Sequence, residues 1–231
     1  PSAQENGLYL VAGHHSVISD CTIKCGSLVQ HSDVVFRNCQ FDVDPKMLQG
    51  TPFQAIDVQG WHDVSINNCI FYGCSCQNIV KAGLDSYVKM FDCDILSCSN
   101  GLSFTENSLG FISNCIFQST AGTSIAASGE SEVNVEYCCF YNNTTNMNST
   151  GESVIQSGNL IYSNPLLVNA AGGDYHLQQP TIQNHGIGSS PCIDAGRYAV
   201  PGTRASTCID GSRDVDQDRK STRLNSSHVS Q

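Results

Sequence analysis

An apolar residue, a cysteine three positions later and a second large apolar side chain two further on recur six times in this chain of 231 residues. The sets are Ile18/Cys21/Ile23, Phe36/Cys39/Phe41, Ile66/Cys69/Phe71, Met90/Cys93/Ile95, Ile112/Cys115/Phe117 and Val135/Cys138/Phe140. Directly before the cysteine stands Asp20, Asn38, Asn68, Asp92 or Asn114, and only Tyr137 breaks that rule. A second apolar series, Leu8, Leu28, Ile56, Ile79, Leu102, Ile125 and Val154, precedes the sets, with steps of 23 residues from Ile56 to Ile125. A fixed period of this kind means a stack of similar units, none of which can bury its apolar face alone.

The unit is too short for a helical hairpin and has no 3.6-residue apolar period. Its alternating runs, such as Leu102-Ser103-Phe104-Thr105 and Val64-Ser65-Ile66-Asn67, predict two strands per unit. Stacking units at roughly 4.8 Å pairs every strand edge with the coils above and below, which predicts an all-β parallel solenoid of about seven coils. Equivalent positions then lie over one another: the six cysteines form an internal column, and the Asn/Asp residues form another at a bend. Amide side chains suit such a bend because they pair with the backbone and with the next coil. Gly60, Gly83, Gly129 and Gly158 suit a turn of positive φ after the first strand, with Glu106 as the exception.

Two steps are long, and their extra residues fall around Asp42 to Gln54 and Tyr141 to Glu152. Both segments read as loops leaving the solenoid, on the kind of face repeat proteins use for binding. The second contains Asn142-Asn143-Thr144, Asn143-Thr144-Thr145 and Asn148-Ser149-Thr150, which match the N-glycosylation pattern, as a loop of Asn, Ser and Thr does by chance.

Over about Gly7 to Ser163 these coils resemble the right-handed parallel β-helix proteins of the pectin-lyase-like superfamily. Asn164-Pro165-Leu166-Leu167-Val168, Gly173-Asp174-Tyr175-His176-Leu177, Ser190-Pro191-Cys192-Ile193-Asp194-Ala195-Gly196 and Asp210-Gly211-Ser212-Arg213 resemble, in that order, the closing segment of bacterial surface proteins known as choice-of-anchor Q domain proteins. The resemblance implies a single-stranded right-handed β-helix over 1–163, a closing segment over 164–217, and an extracellular or bacterial cell-surface location. That family usually continues into a short strand and an anchor, whereas here only Asp214-Val215-Asp216 follows. From Asp218 to His228 the chain is similar to the translation of a short-read sequencing adapter, so 218–231 is set apart as an artefact expected to be disordered. The chain starts at Pro1 without Met, and truncation at both ends is expected.

With 11 Lys and Arg against 21 Asp and Glu the formal charge is −10, which repels phosphate backbones and anionic membranes; nucleic acid is not an expected partner. No apolar run approaches the ~18 to 20 residues of a membrane-spanning helix. A monomer is expected. Among thirteen cysteines, the six of the column act as small apolar residues and are expected to stay reduced. Zinc on Cys74, Cys76 and Cys98, or on Cys138 and Cys139, is the alternative, but no Cys-x-x-Cys pair occurs and no metal is expected. Cys192 and Cys208 form the best disulfide candidate, which the surface location implied by the resemblance would preserve.

β-helix lyases need a basic residue to abstract a proton and carboxylates that hold Ca²⁺ against a uronate, while hydrolases need close carboxylates. The expected outward positions of the first strand are Tyr9, Val29, Asp57, Val80, Ser103, Ala126 and Ile155, of which one is charged. Those of the second are Val17, Val35, Ser65, Lys89, Phe111 and Asn134, then Ser19, Arg37, Asn67, Phe91, Ser113 and Glu136. The best catalytic set is Asp57, Lys81, Asp85 and Glu106, on or just after the first strands of three successive coils; solvated turn charges are the plainer reading. Gly13-His14-His15 likewise reads as a turn. Trp61, Phe91 and Phe111 are placed to stack on sugar rings. No cofactor is expected, Ca²⁺ on Asp210, Asp214 and Asp216 being the alternative. The sequence thus predicts a non-catalytic extracellular β-helix that engages polysaccharide or cell-surface glycan, with a polysaccharide lyase or glycoside hydrolase acting on acidic polysaccharide as the second reading.

Overall fold

A computed structural model describes residues 8–24, 27–43, 54–150, 153–179, 190–193 and 195. The chain enters through β1 (Leu8–Ser19), β2 (Thr22–Ile23), β3 (Ser27–Arg37) and β4 (Gln40–Phe41). Four coils of three separate strands follow: β5 (Gln54–Gln59), β6 (Asp63–Asn67) and β7 (Ile70–Tyr72); β8 (Asn78–Gly83), β9 (Tyr87–Phe91) and β10 (Asp94–Leu96); β11 (Leu102–Phe104), β12 (Leu109–Ser113) and β13 (Ile116–Gln118); β14 (Thr123–Ala127), β15 (Glu132–Glu136) and β16 (Cys139–Tyr141). A less regular coil of β17 (Thr145–Ser149), β18 (Ser153–Ser157) and β19 (Leu160–Ile161) ends the stack. All these strands pair in parallel along three faces, so the fold is the expected all-β solenoid. About seven coils were expected, but four carry the full three-strand plan, because in the entering coils one long strand serves the first and second faces.

The unit has three strands rather than two because the residue before each cysteine turns the chain. Asp20, Asn38, Asn68, Asp92, Asn114 and Tyr137 all have φ between 51 and 57°. That left-handed conformation costs Asn and Asp least among residues with a Cβ, and it sends the cysteine and the apolar residue two beyond it onto a third face. Side-chain amides link the bends from coil to coil: Asn38 Nδ2 donates to Asp20 Oδ1 at 2.9 Å, Asn68 Nδ2 to Asn38 Oδ1 at 2.9 Å, and Asn114 Nδ2 to Asp92 Oδ1 at 3.2 Å.

Inside the bend Cys39, Cys69, Cys93, Cys115 and Cys138 are buried as expected. Cys21, in the first coil, is exposed. Each buried thiol donates back to a carbonyl of its own strand, as from Cys93 Sγ to Phe91 O at 3.1 Å, and Cys69 N donates to Cys93 Sγ at 3.4 Å. Burial pushes the Cys93 and Cys115 thiols well above the ordinary range, consistent with a reduced column. Cys93→Ser is expected to cost about 1 to 3 kcal/mol, toward the lower end because Phe91 O remains as an acceptor. Chemical denaturation checks this, and an unchanged midpoint would mean that the column is not a packed core. Next to it Phe41 stacks on Phe71, with centroids 4.4 Å apart, and Phe117 on Phe140 at 5.0 Å.

Several expectations of register need correction. Ile56 pairs with Val80, Val80 with Leu102 and Leu102 with Ile125, so the step is not uniform. The corner from the third face to the next first face differs in length by up to two residues between coils. Val29 and Val80 consequently point inward and are buried, and Lys81 takes the outward place beside Asp57. Val154 and Ile155 pair with Val133 and Asn134 on the second face, and the segment expected to be a loop after Tyr141 instead supplies β17, with Met147 opposite Ile125. Asn143 there bridges coils, accepting from Thr120 N and donating to Phe117 O, both at 2.9 Å, so its amide is already engaged.

Gly60 and Gly129 do have positive φ after the first strand, but Gly158 lies after the second, and in the β8 coil the role passes from Gly83 to Leu84 and Asp85. His14 and His15 lie within β1, at a register slip, and not in a turn. Residues 44–53 of the first expected loop lie outside the described residues.

The third face is not left open. Its outward residues Ile70, Leu96, Ile116 and Cys139 are buried with Tyr175, against Tyr72, Leu167, Ala170, Leu177 and Cys192. An antiparallel pair, β20 (Leu167–Asn169) and β21 (Asp174–Leu177), carries this cover, so the closing segment is less irregular than expected. Its motif at Asp210–Arg213, Cys208 and the segment 218–231 lie outside the described residues.

Candidate ligand-binding face

Alternation on the second face brings outward residues of neighbouring coils into rows. Asp63, Tyr87, Leu109 and Glu132 form one row, Ser65, Lys89, Phe111 and Asn134 the next, and Asn67, Phe91, Ser113 and Glu136 the third. Phe91 and Phe111 meet diagonally, their centroids 5.5 Å apart at 48°. Diagonal neighbours on a sheet come within reach when the side chains are aromatic, and a tilted pair is favourable in its own right. Lys89 Nζ lies 2.9 Å from Asp63 Oδ2 and over the Tyr87 ring, 4.4 Å from its centre. The result is a half-buried aromatic strip with Leu109 exposed beside it, edged by Asp63, Glu132 and Glu136.

The catalytic candidates sit on the first face and its corner. Asp57 and Lys81 are register partners on neighbouring coils. Burial raises the Asp57 carboxyl above its ordinary range, while Lys81 and the 3.0 Å bond from Gln59 Nε2 pull it back. Its Oδ1 is buried without a hydrogen-bond partner. Glu106, in the left-handed turn after β11, leans over Gly83, where its Oε2 would lie 3.3 Å from an added Cβ. Asp57 and Lys81 thus lie side by side, and Glu106 is placed by its approach to Gly83, two residues beyond Lys81. Asp85 lies in the corner after β8 and donates its N–H to Glu106 O at 2.9 Å, so its backbone adjoins Glu106. Trp61 falls at the level of Asp85, between the first and second faces, and is 81% exposed. It is separate from the Phe91–Phe111 pair. Reading alternate residues finds Phe91 and Phe111, while Tyr87 and Leu109, at the starts of the same strands, carry no such signal because they adjoin the preceding turns.

Among the described residues no three His, Cys, Asp or Glu side chains converge to hold a metal ion. The thiols of Cys74, Cys76 and Cys98, the zinc alternative, are all buried in the solenoid core, and those of Cys74 and Cys98 donate to backbone carbonyls. Asp210, Asp214 and Asp216 lie outside the described residues.

The family model described as right handed beta helix region matches residues 7–186. The chain belongs to that family. No curated protein matches it, and no solved structure does. Membership in the right handed beta helix region family accounts for the stacked coils that bring the rows of the second face into register, and leaves the chemistry of those rows to be argued from the side chains themselves.

Proposed function

We propose that this β-helix binds a neutral glycan along its second face, at the cell surface, without cleaving it. The observation that carries the reading is the Phe91–Phe111 pair among the outward polar residues of the second face. Aromatic rings pack against the C–H faces of sugars, and Asn67, Asn134, Glu132 and Glu136 beside them offer partners for hydroxyl groups. The charge balance selects against uronates: Asp63, Glu132 and Glu136 stand against Lys89, whose charge Asp63 already engages. An anionic chain would meet net repulsion there. The surface location rests on the resemblance of the closing motifs to exported proteins.

Phe91→Ala and Phe111→Ala are each expected to weaken binding to a neutral polysaccharide by roughly tenfold, the loss of about 1 to 1.5 kcal/mol of stacking. Titration calorimetry after a glycan-array screen measures this. Unaltered affinity in the double variant would remove the second face from consideration. A catalytic reading is favoured by one observation, the half-buried Asp57 carboxyl, whose Oδ1 has no hydrogen-bond partner, beside Lys81. It requires ultraviolet-absorbing unsaturated product from pectate or alginate, with that product lost in Lys81→Ala.

A further inference from the structure

Two thiols outside the cysteine column meet where the closing segment covers the third face. Cys139, first in β16, points away from the solenoid interior yet is only 3% exposed, because Leu167, Ala170, Tyr175 and Leu177 pack over its column with Ile70 and Ile116. Its Sγ donates to Ser163 O at 3.2 Å. Cys192 lies in the turn after Ser190. Ser190 N donates to Gln178 O at 2.9 Å, and Cys192 N donates to Ser190 Oγ at 3.1 Å, so this turn is tied directly to the end of β21. Cys192 packs against the cluster that holds Cys139, close enough for the two thiols to perturb each other's ionisation.

We propose that Cys139 and Cys192 are a modification site: they oxidise to a disulfide that staples the closing segment to the third face. Cys192, the more accessible of the two, attacks a small disulfide such as oxidised glutathione, releasing one glutathione thiolate. Cys139 then attacks the Cys192 sulfur of the mixed disulfide and releases the second. Two protein thiols lose two protons and two electrons, and one glutathione disulfide becomes two glutathione thiols. The bond would close a loop of roughly 50 residues, a length at which cross-linking restricts the unfolded chain substantially. The staple is independent of the glycan reading, since the second face takes no part in it.

The test is peptide mapping of the full chain after incubation in a glutathione redox buffer, with alkylation of the remaining thiols and chymotryptic digestion without reduction. The expected product is a peptide containing Cys139 joined to one containing Cys192, with a melting temperature about 5 to 10 °C above that of the reduced protein. Cys192→Ser, at a half-buried turn position, is expected to fold and to lose the oxidation-dependent rise. Cys192 found joined to Cys208, or Cys139 and Cys192 both alkylated after oxidation with no change in melting, would overturn the proposal.

Discussion

Phe71→Ala is expected to destabilise the protein by about 3 to 5 kcal/mol, more than any change in the cysteine column. Phe71 is fully buried on the inner side of the third face, stacked at 4.4 Å and 13° on Phe41 and in register with Ile95 of the following coil. Removing the ring leaves a cavity that the solenoid is poorly able to close. The backbone on either side is fixed by parallel pairing of β7 with β4 and β10, so neighbouring coils cannot slide inward without breaking hydrogen bonds. Repeat stacks are also held mainly by nearest-neighbour contacts, so the loss concentrates at one interface. Scanning calorimetry should show melting lowered by roughly 10 °C. Phe71→Leu, which keeps much of the volume, is expected to lose considerably less. A loss for Phe71→Ala no larger than that for Cys93→Ser would mean that the aromatic stack is not the main support of the third face.

The contrast between the third face and the first shows what the sequence can and cannot encode legibly. Cysteine, the bend residue before it and the apolar residue after it are locked together by local backbone geometry: a left-handed Asn or Asp fixes where the next two side chains point. A fixed motif therefore fixes the register, and the burial of Cys39 to Cys138 could be read directly. The first face lacks such a marker. Ala55-Ile56 and Ile79-Val80 are adjacent pairs that are both buried, so alternation does not decide which member faces in. With a corner that varies in length, a uniform 23-residue step slips, and Val80 is exchanged for Lys81.

The candidate site shows the same division. Strand alternation exposes Phe91 and Phe111, but their contact, and the pairing of Lys89 with Asp63, arise between neighbours on different coils. The outward Ile70, Leu96 and Ile116 make sense only once residues from Leu167 to Leu177 are folded back over them, a pairing distant in sequence and carried by no repeat.

Asp94→Asn is expected to remove most of a fall in stability that the protein shows as pH rises toward and through neutrality. Asp94 occupies the outward column of the third face between Ile70 and Ile116, 5% exposed beneath the closing segment, with Oδ2 lacking any hydrogen-bond partner. The groups acting on or facing it are Asp92, Cys139, Cys192 and Tyr175, none of them a cation. Burial, and then the Asp92 charge, push its carboxyl from the ordinary 3.8 up to about 7.

The folded chain therefore holds a proton that the unfolded chain has already released across that window. Stability is greatest at the acidic end, declines as pH rises from about 4 to 7, and carries the full penalty of a buried charge above that. The span corresponds to an upper figure on the order of 4 kcal/mol. An asparagine keeps the shape without the charge. Its melting temperature should match the wild type near pH 3.5 and exceed it by several degrees near pH 8.5, with slower hydrogen exchange over 167–177 at the higher pH. Equal pH slopes in the two proteins would mean that the Asp94 carboxyl reaches water when charged, and that the closing segment does not seal the third face over it.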